Sequence, residues 1–346
     1  MQKEDPLVSI IILNFDTGDL LLKCVESIEK CNYSNYEIIL VDNASTDNSH
    51  KLCKEKFQKI KLIENKENLG YCRGNNIGIS EAKGKFLVVL NPDIVVDKNW
   101  LKELIQAYDK SGDGLYQPKL LVFGNEAKIN SAGNMIQTFG FGYSRGKGEN
   151  DDEQDNNTKQ IGFASGACLF TTKELMEEIG NFEPFLFAYN EDMDLGWRAS
   201  KMGINSYYIP SAIVKHAESY SYKWIPKKFY LLERNRHYCI LTHYSHKTIL
   251  KILPSLIVIE LFVLFYFLSK GMLKEKFRAY GSIIKKSRFI SKKHAESEMK
   301  RKISDKELIK NFVDEIFVPK DVSGELNNKN FNRVLSFLSK SFRHFV

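Results

Sequence analysis

Over the first hundred residues the apolar positions fall into short unbroken runs separated by polar turns. Leu7-Val-Ser-Ile-Ile-Ile-Leu13, Tyr36-Glu-Ile-Ile-Leu-Val41, Ile60-Lys-Leu-Ile63 and Phe86-Leu-Val-Val-Leu90 are rich in leucine and β-branched residues. They show little alternation, the pattern of strands covered on both faces. Between them the period lengthens. Leu20, Leu21, Val25 and Ile28 line one face of a helix from about Asp19 to Lys30, as amphipathic spacing requires. Ser45 or Asp47 can cap a second helix. Asn68-Leu-Gly-Tyr-Cys-Arg-Gly-Asn-Asn-Ile-Gly78 opens a third. Strand and helix in alternation predict a doubly wound α/β sheet with right-handed crossovers.

Asn91-Pro92 ends the fourth run, because proline cannot donate to a ladder and restricts the residue before it. A helix is expected from near Lys98. Glycines 133, 140, 142, 146 and 148 then sit among short alternating runs that predict strands and loops. Glu149-Asn-Asp-Asp-Glu-Gln-Asp155 reads as a solvated acidic loop. A buried strand is expected over Ile161–Phe170, a helix from Asp192 to Met202, and two strands at Tyr207–Ile209 and Ala212–Val214. No internal repeat is present.

From Lys223 the chain turns basic and helical, and then Ile249–Leu268 is almost wholly apolar. Its length is near the roughly 20 residues that span a bilayer, yet it carries Lys251, Pro254 and Glu260. Lysines and arginines flank it on both sides, and the positive-inside rule would keep both flanks cytoplasmic. A single span cannot do that. The expectation is an in-plane or re-entrant helix pair on an anionic membrane surface; the competing reading is a soluble dimerisation helix. Tyr220, Tyr222, Trp224 and Phe229 could form an aromatic edge at that interface, or simply pack. Three regions are expected: residues 1–222 as the α/β domain, 223–300 as a basic and hydrophobic membrane-associating region, and 301–346 as a helical tail.

Composition narrows the setting. A chain of 346 residues with 43% hydrophobic and 27% charged residues is that of a folded protein. Six scattered cysteines without a C-x-x-C pair suit reduced thiols in the cytoplasm and no zinc ribbon. The polar start Met1-Gln-Lys-Glu-Asp-Pro6 carries no signal-peptide pattern. The net charge of +7 is modest, and no nucleic-acid module is recognised.

The chemistry gathers at predicted strand ends. Asp42 follows Val41, Asp93 follows Asn91-Pro92, Glu191-Asp192 opens a helix, and His216 follows the strand ending at Val214. In open α/β sheets ligands bind beyond the carboxyl ends of strands. Singly, each residue has a plain alternative: turn former, helix-start carboxylate or surface histidine.

In order along the chain, Val8-Ser-Ile-Ile-Ile-Leu-Asn14, Val41-Asp-Asn-Ala-Ser-Thr-Asp47, Asn68-Leu-Gly-Tyr71 with Gly74-Asn-Asn-Ile-Gly78, Asn91-Pro-Asp93, Ala164-Ser-Gly-Ala167 and Asn190-Glu-Asp-Met-Asp-Leu-Gly-Trp-Arg198 resemble glycosyltransferase family 2, and within it the rhamnosyltransferase-like members. The resemblance covers about Leu7 to Ala217. It implies the GT-A fold, a doubly wound mixed sheet, here with a C-terminal helical, membrane-associating extension. It implies inverting transfer of a sugar from a nucleotide diphosphate. Asn14, Asp42 and Ser45 would bind base and ribose. Gly70, Arg73 and Asn76 would lie near the nucleotide-sugar. Asp93 matches the last acid of the family's Asp-x-Asp metal motif, with Asn91 where the first acid usually stands. His216 would complete the shell of Mg²⁺ or Mn²⁺.

Asp192 matches the family's base, with Glu191 holding an acceptor hydroxyl or orienting the loop. Asp194 is the alternative base, turned about 200° from Asp192 by helical spacing. The Gln-x-x-Arg-Trp motif of processive synthases does not occur, so single-sugar transfer is expected. The expected donor is dTDP-rhamnose or a UDP-sugar, the latter implying a galactosyl or N-acetylhexosaminyl transferase. The expected acceptor is a saccharide or lipid-linked saccharide of the cell envelope, reached from the cytoplasmic face of the membrane. Two other classes compete. A nucleotidyltransferase would want a glycine-rich, basic phosphate loop after the first strand, which Asn14-Phe-Asp-Thr-Gly18 does not supply. A non-catalytic membrane scaffold would tolerate Asn91.

Overall fold

A computed structural model describes residues 5–152, 156–218, 225–316 and 328–345. Residues 153–155 of the acidic loop and Tyr220, Tyr222 and Trp224 of the expected aromatic edge lie outside them. The first half alternates as expected: β1 (Val8–Asn14), α1 (Asp19–Glu29), β2 (Tyr36–Asp42), α2 (Ser49–Lys56), β3 (Lys61–Glu64), α3 (Gly70–Ser80) and β4 (Phe86–Leu90). After the Asp93 turn comes a short strand, β5 (Ile94–Val96), and then α4 (Trp100–Ser111). The helix thus starts within two residues of Lys98, and the unexpected element is the strand, whose β-branched Val95 and Val96 pair with a later strand.

The mixed half contains β6 (Leu115–Val122), β7 (Asn125–Ser131), a small β8 (Asn134–Ile136) and β9 (Gly142–Ser144) hairpin, β10 (Lys159–Ile161), β11 (Cys168–Thr172), α5 (Lys173–Ile179), α6 (Glu191–Lys201) and β12 (Ser206–His216). The two strands expected around residues 207–214 are one. Pro210 cannot donate to the ladder, so the register slips between Ile209 and Ile213 and pairing with β6 resumes.

The main sheet runs β10-β12-β6-β11-β4-β1-β2-β3, with β5 on β12 and β7 on β6. β1 to β4 are parallel, whereas β11 runs antiparallel between β4 and β6. Alternation along β1 and β4 feeds two cores. Val8, Ile10, Ile12, Phe86 and Val88 face α1 and α4. Ile11, Leu87 and Val89 face α3, α5 and α6.

The second core does not stop at α6. It continues into α7 (Pro226–His243), α8 (His246–Ser269), α9 (Leu273–Lys285), α10 (Ser287–Met299), α11 (Asp305–Lys310) and α12 (Asn328–Phe345) through Tyr238, Ile259, Ile290, Leu308 and Leu335. α8 runs unbroken through Pro254, so no re-entrant loop interrupts residues 249–268. Ile252, Ile259, Val263 and Phe267 form its buried stripe, while Leu250, Ile257, Leu261 and Phe265 face outward and are 51–71% exposed. Phe229 is buried against Phe267 and Tyr266 rather than placed at an edge. Across the α7, α8 and α9 contact, Glu233 and Glu260 each meet both Arg236 and Lys276.

Candidate functional site

Asn14 and Asp42 stand opposite each other at the carboxyl ends of β1 and β2. Asn14 Nδ2 donates to Asp42 Oδ1 at 2.9 Å and to the hydroxyls of Ser45 and Ser49 at 3.0 Å. Ser45 donates its N–H and hydroxyl to Asp42 at 2.9 and 2.6 Å, an Asx-type turn. Asp42 is 1% exposed and Asn14 fully buried. These two residues shape the loop that follows; Ser45, half-buried, is the member nearer solvent.

The next loop opens α3. Asn43 Nδ2 donates to the Gly70 carbonyl at 3.2 Å. Gly70 has φ +78°, and a Cβ there would lie 2.5 Å from the Phe187 ring, so both the conformation and the close approach demand glycine. Arg73 is exposed on this first turn. Asn76 does something else: it donates to the Phe182 carbonyl at 2.8 Å and accepts the Phe182 N–H at 3.1 Å. Both ends of its amide are engaged by backbone, so Asn76 splices α3 to the 182 loop.

Asp93 and His216 meet across β5 and β12, where Ile94 is the register partner of His216. Asp93 Oδ1 lies 3.4 Å from His216 Nε2, and both side chains are buried. His216 Nδ1 lies 3.2 Å from Asn130 Oδ1. An amide oxygen only accepts, so Nδ1 carries a proton, and in the neutral ring Nε2 would present a lone pair toward the carboxylate. Nε2 has no hydrogen-bond partner among the described residues. A carboxylate oxygen and an imidazole lone pair facing each other in a buried site suit a divalent cation, and Asn130 fixes the ring from behind.

Among the described residues, two clusters of acids, histidine and cysteine elsewhere have metal-like spacing, Asp194–Cys239–His243 and Glu233–His237–Glu260. Each already holds its own cations. Arg198 pairs with Asp194, while Arg236 and Lys276 pair with Glu233 and Glu260.

The loop at residues 164–167 joins this centre to α6. Asn91, half-buried at the end of the β4 turn, donates its N–H to the Ala167 carbonyl at 2.9 Å. The Gly166 N–H donates to Asp192 Oδ2 at 3.1 Å, and the Gly166 carbonyl accepts from the Tyr71 hydroxyl at 2.6 Å. The Met193 N–H donates to Asp192 Oδ1 at 2.8 Å.

Glu191 is buried, and its Oε2 has no hydrogen-bond partner among the described residues. Burial, then the neighbouring Asp192 charge, pushes the Glu191 carboxyl well up. Burial also raises Asp192, but the Gly166 and Met193 N–H groups work against that rise. Of the pair, Asp192 is therefore the one that ionises first.

Asp194 faces the other way. It is fully buried, chelated by Arg198 at 2.7 and 2.9 Å and by His243 Nε2 at 2.8 Å. Burial alone would raise it, and Arg198 and His243 outweigh burial and hold it below the usual range. The alternative base is thus locked in an internal ion network. Trp197 packs against Tyr244 and Phe312 on the same side.

The segment entering α6 is strained. Phe187, Tyr189 and Asn190 have φ of 64°, 68° and 59°. Asparagine tolerates this region and for tyrosine it costs about 1–2 kcal/mol, while Phe187, with ψ −62°, is the centre of a rare, strained γ-turn closed by the Ala188 N–H on the Leu186 carbonyl. Sequence reading missed the strain in this segment, and it missed the contacts of Asn130, Arg234 and Asn235. None has a local signature, because each acts on residues 46 to 86 positions away.

Comparison with known proteins agrees with this architecture. Residues 9–180 match the model of "Glycosyl transferase family 2". The glycosyltransferase GlyG of Streptococcus pneumoniae is 36% identical over 103 residues, 29% of this chain and 34% of that protein. An N-acetylglucosaminyl-diphospho-decaprenol L-rhamnosyltransferase of Mycobacterium tuberculosis is 24% identical over 237 residues, 62% of this chain and 77% of that protein. The match thus spans about a third of the pneumococcal relative. Among solved structures, the mannosyltransferase PcManGT of Pyrobaculum calidifontis, in complex with GDP-Man and Mn²⁺, superposes over 99% of this chain and 87% of its own. Its TM-score is 0.51 at 12% identity. GalNAc-T7 with UDP, GalNAc and Mn²⁺ covers 61% of this chain and 43% of its own, with a TM-score of 0.52 at 19% identity. These two likenesses are of fold.

Proposed function

Because the chain belongs to glycosyl transferase family 2, we propose that it transfers one sugar from a nucleoside-diphosphate sugar to a saccharide or lipid-linked saccharide, with inversion. Rhamnose is the favoured sugar, supported by the mycobacterial relative that is a rhamnosyltransferase. The observation that carries the reading is the hydrogen-bonded relay Asn91–Ala167 and Gly166–Asp192. It ties the Asp93–His216 pair to an acid pair at a helix start.

Asp192 takes the proton from the acceptor hydroxyl. The freed oxygen bonds to the anomeric carbon on the face opposite the bond to phosphate. That bond breaks, and its electron pair leaves with the nucleoside diphosphate. Glu191, whose carboxyl burial pushes up, can when protonated donate a hydrogen bond to the acceptor without competing for the proton. Asp93 and His216 would hold Mg²⁺ or Mn²⁺, an ion consistent with the Mn²⁺ in both structural neighbours; when bound it neutralises charge on the leaving diphosphate. Ser45, Gly70 and Arg73 would contact the nucleotide.

The outward stripe of α8, flanked by Lys247, Lys251, Lys270 and Lys274, supports in-plane attachment to an anionic cytoplasmic leaflet. The test is a panel of nucleotide sugars with Mn²⁺ or Mg²⁺, reading released nucleoside diphosphate. Turnover of one donor, lost with chelator and in Asp93→Ala, is expected. Neither turnover nor nucleoside-diphosphate binding across the panel would overturn the reading.

A further inference from the structure

Helix α7 carries Glu233-Arg-Asn-Arg236, and its two sides have different work. Glu233 and Arg236 lock onto α8 and α9 through Glu260 and Lys276. Arg234 and Asn235 instead reach the strained segment in front of α6. Asn235 Nδ2 points into a nest of three carbonyls, Leu186 at 3.0 Å, Ala188 at 3.0 Å and Tyr189 at 2.6 Å. Arg234 donates to the Phe185 and Leu186 carbonyls at 2.7 and 2.8 Å. Its Nε also donates to Asn235 Oδ1 at 2.9 Å, which turns the Asn235 amide so that its NH₂ faces the nest. Asn235 is fully buried and Arg234 nearly so.

We propose that Asn235, oriented by Arg234, is a positioning residue for the base: it holds residues 185–190 in their left-handed turns and thereby sets where Asp192 stands relative to Gly166. The inference rests on the assignment of Asp192 above. Side chains in left-handed backbone persist only when their surroundings over-determine them. Here the surroundings are five hydrogen bonds from two adjacent residues of one helix. The same segment touches the other half of the cleft, because the Phe187 carbonyl accepts the Cys72 N–H at 3.1 Å and its ring covers Gly70. Release of the clamp would therefore loosen the base first and the α3 loop second. α7 cannot follow the loop without breaking its buried ion pairs with α8 and α9, so the clamp is rigid.

The experiment uses the full chain and three substitutions. Asn235→Asp keeps the shape but replaces the NH₂ donor with an oxygen facing three carbonyls. Arg234→Lys keeps the charge but loses the fork. Thr242→Val, on the same helix and bonded only to its own turn, reports general damage to α7.

Hydrogen exchange is measured first, without substrate. Asn235→Asp should speed exchange across residues 186–193 while leaving 206–216 unchanged, and Thr242→Val should do neither. With a donor from the panel, Asn235→Asp and Arg234→Lys should lower kcat about 10- to 100-fold, the scale of a misplaced reacting group. KM for the donor and Mn²⁺-supported binding of the nucleoside diphosphate should stay within about twofold, an effect confined to the catalytic step. The acid limb of the kcat profile should move to lower pH as Asp192 gains solvent.

Unchanged exchange in Asn235→Asp overturns the clamp. Faster exchange with kcat and the acid limb unmoved overturns its link to the base. Wild-type turnover in Asp192→Asn would remove the base assignment and the inference with it. That outcome is distinguishable, because the exchange profile is read without substrate.

Discussion

On the proposed donor side, Asn14, Asp42, Ser45 and Ser49 hold one another through bonds made inside the first fifty residues, between neighbouring strand ends. On the proposed base side, Asp192 is held by Gly166, 26 residues earlier, and follows a turn clamped by Asn235, more than 40 residues later. The first arrangement is local to one βαβ unit. The second involves contacts from distant elements, α7 among them. A site assembled this way has a stiff half and a conditional half, and substitutions should separate them.

The largest effect belongs to the base. Asp192→Asn should lower kcat by about 10³-fold or more, the upper range for a general base, while nucleoside-diphosphate binding persists by calorimetry. Loss of both together would mean that α6 carries the donor side too, and the comparison would collapse. Asp93→Ala should do the reverse, weakening Mn²⁺-supported nucleoside-diphosphate binding about 100-fold and leaving hydrogen exchange over 186–193 unchanged.

The α8 face should be separable from both halves. Leu261→Asp with Phe265→Asp replaces two residues more than half exposed, so the fold should keep its melting temperature. Partitioning onto anionic vesicles should fall about 100-fold, as expected when two large apolar side chains no longer bury in lipid. Equal sedimentation of both proteins with vesicles would refute the in-plane attachment.

A smaller change is expected behind the histidine. Asn130→Ala should cost about tenfold in Mn²⁺ affinity, the low end for a residue that orients a ligand, with Asp192 chemistry intact at saturating metal. The smallest effect is in pH. Burial raises Asp192, and a base fails when protonated, so kcat should fall at a pH above the ordinary aspartate value of about 4. A limb at or below that value would place Asp192 in solvent.

Much of the sheet was legible in the sequence. Strands buried on both faces leave unbroken apolar runs, and Val8–Leu13, Ile38–Val41 and Phe86–Leu90 behave so. The placing of Asp42 and Asp93 at strand ends follows from where those runs stop. Elements were misread where a ladder partner intervened: β5, unexpected between Asp93 and α4, and the bulged β12 read as two strands. The bonds of Asn76 to Phe182 were not legible, because that partner lies 106 residues away. The apolar length of Ile249–Leu268 was plain, but not that one stripe of it is core and Glu260 is an internal ion-pair partner.

What the sequence determined alone is whatever short range decides: the period of each element, the turn residues that stop it, and the acids those turns carry. Which acid is open to act as the proposed base and which is held in an internal ion network was decided by tertiary structure. Asp192 and Asp194 sit two residues apart on one helix, with the same charge and the same intrinsic acidity. Folding gives one of them two backbone N–H groups beside the cleft, and the other an arginine and a histidine in the core. Their difference is electrostatic environment, which depends on distances between residues far apart in the chain and so cannot be read along it.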